Sequence, residues 1–257
     1  MAERVRGWLT VGYAGLSMAF FFGISLPVMV LTGSGAFPMW LARKAWAPSC
    51  LRIAGVRLDI QRLSPLPDGP AIFAANHESA LDILAVVRAI PRGVRFVAKR
   101  ELFRIPVFGW YLRLGGHVEV DRRDRVRAIA SLGAAAEKVR SGTSLVVFPE
   151  GTRSPDGRIQ PFKQGPFVIA SRSGVPVVPV AVSGAADVNP KARIAVRPGT
   201  IRVSIGPAVL PADFPDKLDL LAEVRRRIVE MHRQAGGLGG DLSRPVARRG
   251  VEGGEDA

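Results

Sequence analysis

One cysteine, Cys50, stands in 257 residues. A lone cysteine excludes an internal disulfide and offers no metal cluster. With no plausible base near it in the sequence, it reads as an inert thiol rather than a nucleophile. Histidine is almost as scarce. His77, His117 and His232 are too few for a multi-histidine metal site. The Gly-x-Ser-x-Gly, Gly-x-Gly-x-x-Gly and Gly-x-x-x-x-Gly-Lys patterns are all missing. Serine hydrolase, dinucleotide and nucleoside-triphosphate readings therefore lose their signatures. No internal repeat is present. Acid is also short, with 22 Asp and Glu against 36 Lys and Arg, a formal charge of +14. That excess favours polyanionic partners such as an anionic bilayer or phosphorylated substrates. Nucleic acid is the weakest candidate, because no helix-turn-helix, zinc or aromatic RNA-binding signature accompanies the charge.

Charge is missing altogether from Gly7 to Ala42, while Arg4 and Arg6 precede this stretch and Arg43 and Lys44 follow it. About thirty-five uncharged residues are too many for one span and few for two. Pro27 and Gly33-Ser34-Gly35 are expected to break the stretch into two helical pieces. Basic residues at both ends put both on the cytoplasmic side. The expectation is a membrane-embedded helical hairpin over residues 1–45, dipping into one leaflet, or one span with a re-entrant piece. The competing reading, a secretory signal peptide, has a shorter apolar core than this run.

Beyond residue 45 the pattern becomes short apolar runs separated by helical stretches. Val56–Ile60, Ala71–Ala75, Val94–Ala98, His117–Asp121, Ser144–Phe148, Val177–Val182 and Ile201–Ile205 are predicted strands. Leu81–Ile90 and Arg125–Arg140 have helical spacing. Strands alternating with helices predict an α/β domain over residues 46–235, with a mixed, mostly parallel sheet flanked by helices. Leu218, Leu221, Val224, Ile228 and Met231 form one face of a last helix whose other face is charged. Residues 236–257 are rich in glycine and charge and are predicted to be a disordered tail.

Two segments carry chemistry. In Asn76-His77-Glu78-Ser79-Ala80-Leu81-Asp82, a strand stops at the histidine and Ser79 is placed to cap the next helix. A fully helical segment would point His77 and Asp82 about 140° apart. His77 therefore belongs in the turn, with Asp82 reaching back to fix one imidazole nitrogen and leave the other as a base. About seventy residues later, Phe148-Pro149-Glu150-Gly151-Thr152-Arg153 follows a buried strand. Gly151 allows close backbone approach, Thr152 and backbone amides can meet phosphate oxygens, and Arg153 supplies charge. Glu150 cannot favour an anion and is expected to hold Arg153 or an acceptor hydroxyl. Phe103, Phe108, Trp110 and Tyr111 read first as core, with an acyl groove or a membrane interface as the alternative. His117 has no functional match.

The two segments, in this order and at this separation, resemble the glycerolipid acyltransferases, most closely the 1-acylglycerol-3-phosphate acyltransferases. The resemblance extends to Lys99, Glu101, Leu102, Pro106 and Gly109, to the glycine–arginine spacing of Gly116 and Arg122, to Lys163 and Gly165, and to Val175-Pro176-Val177. Glu119 departs from the apolar or aromatic residue common in the family. The resemblance implies a membrane enzyme in which His77, oriented by Asp82, deprotonates the sn-2 hydroxyl of a lysophosphatidic acid. Acyl-coenzyme A or acyl carrier protein would donate the acyl group. Lys99, Arg122, Glu150, Gly151, Thr152, Arg153 and Lys163 would bind the phosphorylated acceptor. No metal or redox cofactor is implied, since a thioester is already activated, and no covalent acyl-enzyme is required. The rivals are another lyso-lipid acceptor, a lipid hydrolase and a non-catalytic membrane scaffold.

Overall fold

A computed structural model describes residues 1–121, 125–191 and 193–247. Its centre is a seven-stranded sheet of β1 (Val56–Arg62), β2 (Ile72–Ala75), β3 (Val94–Lys99), β4 (Val118–Val120), β5 (Ser144–Val147), β6 (Val177–Ser183) and β7 (Gly199–Ile205). The order is β1-β7-β6-β2-β5-β3-β4. All neighbours run parallel except β6 and β7. Each predicted strand is present. β2, β5 and β6 are buried at every position, because helices cover both faces of the sheet.

Phe73, Val146, Val178 and Val180 face a core closed by α3 (Ala47–Ile53) and α4 (Leu81–Ala89). Ile72, Leu145, Val147 and Ala181 face the other core, under α6 (Arg125–Arg140), α7 (Gly165–Ser173) and α9 (Lys217–Gln234). The Asp216 carboxylate starts α9 by accepting from the Leu218 and Asp219 amides. Leu221, Val224, Ile228 and Met231 then point inward as the pattern predicts, whereas Leu218 in the first turn is exposed. Two more short helices, α5 (Phe108–Leu114) and α8 (Ala185–Val188), lie beyond the C-terminal ends of β3 and β6.

The N-terminal arm departs from expectation in two ways. First, α1 (Ala2–Thr32) runs unbroken through Pro27. The proline removes only the N–H that would have met the Gly23 carbonyl, a local loss that the helix absorbs. The chain turns at Gly33, in the left-handed region at φ 61°, where a side chain would be strained. Second, the return arm does not end near residue 45. α2 (Ala36–Leu41), a π-helical turn (Ala42–Trp46) and α3 form one helical run, because Met39, Ala42, Ala47, Cys50 and Leu51 all belong to the core. The two arms lie side by side: Trp46 Nε1 donates to the Ala14 carbonyl at 3.3 Å, and Ser17 Oγ lies 4.0 Å from Cys50 Sγ.

Both ends of α1 touch the α/β domain. At one end the Val196 N–H donates to the Glu3 carbonyl at 3.0 Å, and Arg197 pairs with Glu3. At the other, Gly35 sits so close to Gly115 that a Cβ would collide with its carbonyl. Between them Trp8, Leu9, Leu16, Phe20, Ile24 and Leu31 face outward, and α1 is long and apolar enough to cross a membrane.

Residues 236–247 are also placed against the domain rather than disordered. Gly239 N–H donates to His232 Nδ1, Ile159 N–H to the Gly239 carbonyl, Phe162 N–H to the Pro245 carbonyl and Ala247 N–H to the Phe162 carbonyl, all within 2.9 Å. Backbone pairing holds this segment, and composition does not register backbone pairing. Residues 248–257 of the predicted tail lie outside the described residues.

Candidate active site

The site gathers at the C-terminal ends of β2 and β5. As β2 ends, the buried Asn76 amide donates to and accepts from the Val182 backbone of β6 at 2.8 and 2.7 Å. That two-way bond stops the strand and swings His77 out of the sheet plane. The Ser79 hydroxyl accepts from the Leu81 N–H at 3.3 Å, but the N-cap position of α4 falls on Ala80, one residue later than expected. Asp82, in the first turn of α4 and fully buried, reaches back to His77 Nδ1 at 2.8 Å. Its same oxygen, Oδ2, accepts from the Glu78 and Ser79 amides at 2.6 and 2.8 Å. The carboxylate is thus fixed by the turn itself before it meets the imidazole. With Nδ1–H donated to Asp82, Nε2 is left with its lone pair. The ring stacks on Phe148, 4.2 Å between centroids, and is 15% exposed.

Glu150 clamps the backbone of the same turn. One oxygen accepts from the His77 N–H at 2.7 Å, the other from the Gln160 N–H at 2.9 Å. Burial pushes its carboxyl up to about 8, and the charges of Asp82 and Glu78 act in the same direction against its two amide bonds. Glu150, expected at the substrate, is buried and does not line the cavity, and its oxygens are taken by the His77 and Gln160 amides. Behind it, Arg225 of α9 is buried and donates to the carbonyls of Ile159 and Gln160 at 3.1 and 3.2 Å, with its guanidinium over the Phe162 ring. Glu78 is tied to α9 as well, meeting His232 Nε2 at 2.5 Å and accepting from the Ala186 N–H at 3.0 Å. Burial raises the Glu78 carboxyl above its ordinary value despite the His232 bond. Glu150, Ala186 and His232, all distant in sequence, thus bond to one turn.

His77 opens onto a cavity of about 810 Å³ between α1, α4 and α5. Its walls are mostly apolar, with Met18, Phe22, Met39, Leu84 and Leu112 among them. Gly151 (φ 80°), Thr152, Arg153, Lys99, Asn189 and Arg193 line it together with His77. A mostly apolar chamber with a few polar groups in its wall suits an amphiphile. His117 lies at the inner wall, where burial, then Arg95 and Lys138, push its imidazole down to about 3. It is a neutral ring accepting from the Phe96 N–H, not a base. Among the described residues, no group of three or more His, Cys, Asp or Glu is placed to hold a metal ion.

The comparisons with known proteins agree with this geometry. The acyltransferase family profile matches residues 57–183. A 1-acyl-sn-glycerol-3-phosphate acyltransferase of Brassica napus chloroplasts is 34% identical, over 90% of this chain and 67% of its own length. The Saccharomyces cerevisiae 1-acyl-sn-glycerol-3-phosphate acyltransferase is 32% identical, over 84% of this chain and 73% of its own. The chain belongs to this acyltransferase family. The crystal structure of PlsC, the 1-acyl-sn-glycerophosphate acyltransferase of Thermotoga maritima, superposes with a TM-score of 0.79 at 27% identity, covering 91% of this chain and 96% of that one.

In this acyltransferase the structure brings together His77, Asp82, Lys99, Gly151, Thr152 and Arg153 of the residues expected from sequence. Lys163 is exposed and away from the cavity, its amide bound to the Pro149 carbonyl. Arg122 lies outside the described residues. Sequence reasoning missed Glu78, Asn189, Arg193, Arg225 and His232. Asn189-Pro190 signals a turn, but nothing local says that the turn folds over the site, where Lys191 Nζ reaches the Arg153 carbonyl at 2.9 Å.

Proposed function

We propose that this acyltransferase moves a fatty acyl group from a thioester donor, acyl-coenzyme A or acyl carrier protein, to the sn-2 hydroxyl of lysophosphatidic acid, giving phosphatidic acid. One observation carries the proposal: the Asp82-held His77 stands where an apolar chamber meets the Gly151-Thr152-Arg153 turn. In the mechanism, Nε2 takes the proton of the acceptor hydroxyl as its oxygen attacks the thioester carbonyl. The tetrahedral adduct collapses, the carbon–sulfur bond breaks, and the proton leaves on the departing thiol. Asp82 stabilises the imidazolium formed between these steps. Arg153, with Lys99 and Arg193, holds the acceptor phosphate, and Thr152 and the turn amides add neutral donors. Arg122 joins this set through the family resemblance alone. Lys163 contributes positive potential at a distance. The thioester supplies the chemical activation, so the proposal needs no cofactor.

The apolar face of α1 anchors the protein to the cytoplasmic membrane, with the site facing the cytoplasm, where thioester donors are made. Arg4 and Arg6 before the uncharged stretch, and Arg43 and Lys44 after it, support this orientation. The test is purified protein in detergent micelles with one labelled thioester donor and a panel of lyso-acceptors. Labelled phosphatidic acid should form from lysophosphatidic acid well ahead of other products. Equal use of a lyso-aminolipid or of glycerol 3-phosphate would replace the acceptor. Free fatty acid released without an acceptor would mean a hydrolase.

A further inference from the structure

A second concentration of exposed apolar side chains lies on the segment after β3. Leu102, Ile105, Val107, Trp110 and Leu114 are between 36% and 57% exposed. The backbone beneath them is tightly pinned. Phe108 N–H donates to the Pro106 carbonyl and Gly109 N–H to the Ile105 carbonyl, both at 2.7 Å. Gly109 packs so close to Phe103 that a Cβ would collide with its carbonyl. At the tip, Val107 has φ 65°, unlike every other non-glycine residue among those described. A β-branched side chain is strained there. The strain does not serve the core, since Phe103 alone plugs inward while the Ile105-Pro106-Val107 turn faces out. α5 sorts its residues the same way. Phe108, Tyr111 and Leu112 line the cavity, whereas Trp110 and Leu114, one turn apart, are exposed.

We propose that this segment is a second bilayer-docking surface, seating Ile105, Val107, Trp110 and Leu114 in an anionic leaflet with Arg104 and Arg113 at the lipid phosphates. It rests on the reading of α1 as a bilayer anchor and deepens it. Two observations favour lipid over a protein partner. The surface is continuous with the anchor: Gly35 at the hairpin turn abuts Gly115 at the end of α5, and Phe22 of α1 meets Tyr111 edge-on at 5.8 Å. Its charge is complementary too: Arg100 is paired with Asp121 and Glu119, while Lys99, Arg104 and Arg113 on the same segment stand against Glu101. An indole beside basic residues suits the boundary between headgroups and acyl chains. Docking would set Lys99 and Leu102, which line the cavity, at headgroup depth. A single-chain lipid could then pass from the leaflet into the chamber without crossing water.

The test uses the full-length protein carrying Ile105→Cys, Trp110→Cys or, at the opposite end of the sheet, Ser141→Cys, each labelled with an environment-sensitive fluorophore. Cys50 is buried and stays unlabelled. On vesicles of phosphatidylcholine and phosphatidylglycerol doped with a nitroxide lipid, positions 105 and 110 should shift to the blue and be quenched, and position 141 should not. Quenching no greater than at position 141 would overturn the proposal. So would a blue shift already present without vesicles, which would instead indicate contact between copies. The double variant Ile105→Asp/Trp110→Asp should raise the KM for vesicle-borne acceptor roughly tenfold. It should leave turnover of a monomeric short-chain acceptor unchanged, and equal loss on both would count against docking. The quenching is read whether or not the parent transfers acyl groups, so failure of the enzymatic reading would not be mistaken for failure of the surface.

Discussion

At Asp82, one carboxylate oxygen takes three donors while the other is buried without a partner. An amide can keep the three bonds through its own oxygen but loses the charge that stabilises an imidazolium. Asp82→Asn should therefore retain more turnover than Asp82→Ala, and His77→Ala should lose roughly 10²–10⁴-fold. Single-turnover assays on variants with unchanged melting check this, and near-normal turnover of His77→Ala would sink the base assignment. Arg153→Ala should raise the acceptor KM, by roughly 10- to 100-fold for a charge-assisted bond to phosphate, with the thioester KM little changed. Glu150 makes a prediction in pH. Its folded carboxyl titrates at about 8 against an ordinary 4.5, so the folded state holds a proton that the unfolded state has released. The stability this gives is full below about 4.5 and is lost as pH rises through about 8. Glu150→Gln should flatten the decline of melting temperature across that window, and an unchanged slope would refute the assignment. His77 and Asp82 were legible in the sequence because five positions separate them and their geometry is local. Glu78 and His232 were not, because 154 positions separate two residues that are each unremarkable alone.

Among the elements, the strands were legible because burial on both faces writes continuous apolar runs. α5 and α7 were not, since Pro106 and Gly109 in one case and Gly165-Pro166 in the other read as breakers. Tertiary contact overrides both, with Gly109 needed for the close approach to Phe103 and Pro166 sitting harmlessly in a first turn. α9 was predicted as a helix with one apolar and one charged face, and its buried Arg225 shows a second task. Arg225→Met would leave the Ile159 and Gln160 carbonyls unpaired, costing about 1–3 kcal/mol each, and would loosen the loop that feeds the Gln160 amide to Glu150. The expected result is a lower melting temperature and a lower kcat with nearly constant acceptor KM, partly restored by Arg225→Lys. A rise in KM alone would place Arg225 in substrate binding instead.

For the whole molecule, the hairpin is a wall of the cavity and, on the membrane reading proposed above, the protein's anchor. Deleting residues 1–33 should weaken membrane binding and remove one side of the chamber, cutting activity while the sheet still folds. Deleting residues 1–45 should go further and destabilise the domain, because Met39 and Ala42 leave the core with it. Membrane sedimentation paired with melting curves separates the two, and equal melting of both deletions would contradict the extended return arm. The contacts at both ends of α1 carry a larger consequence. A helix about 46 Å long could traverse a bilayer, yet its Glu3 end and its Gly35 end rest on one and the same domain. If this helix is the anchor proposed above, the protein enters and leaves the lipid from a single side. On the activity proposed here, each turnover adds a second acyl chain to a lipid in the cytoplasmic leaflet and none in its opposite. The two monolayers then grow unequally in area, and symmetric growth of the membrane depends on some other agent carrying lipid across.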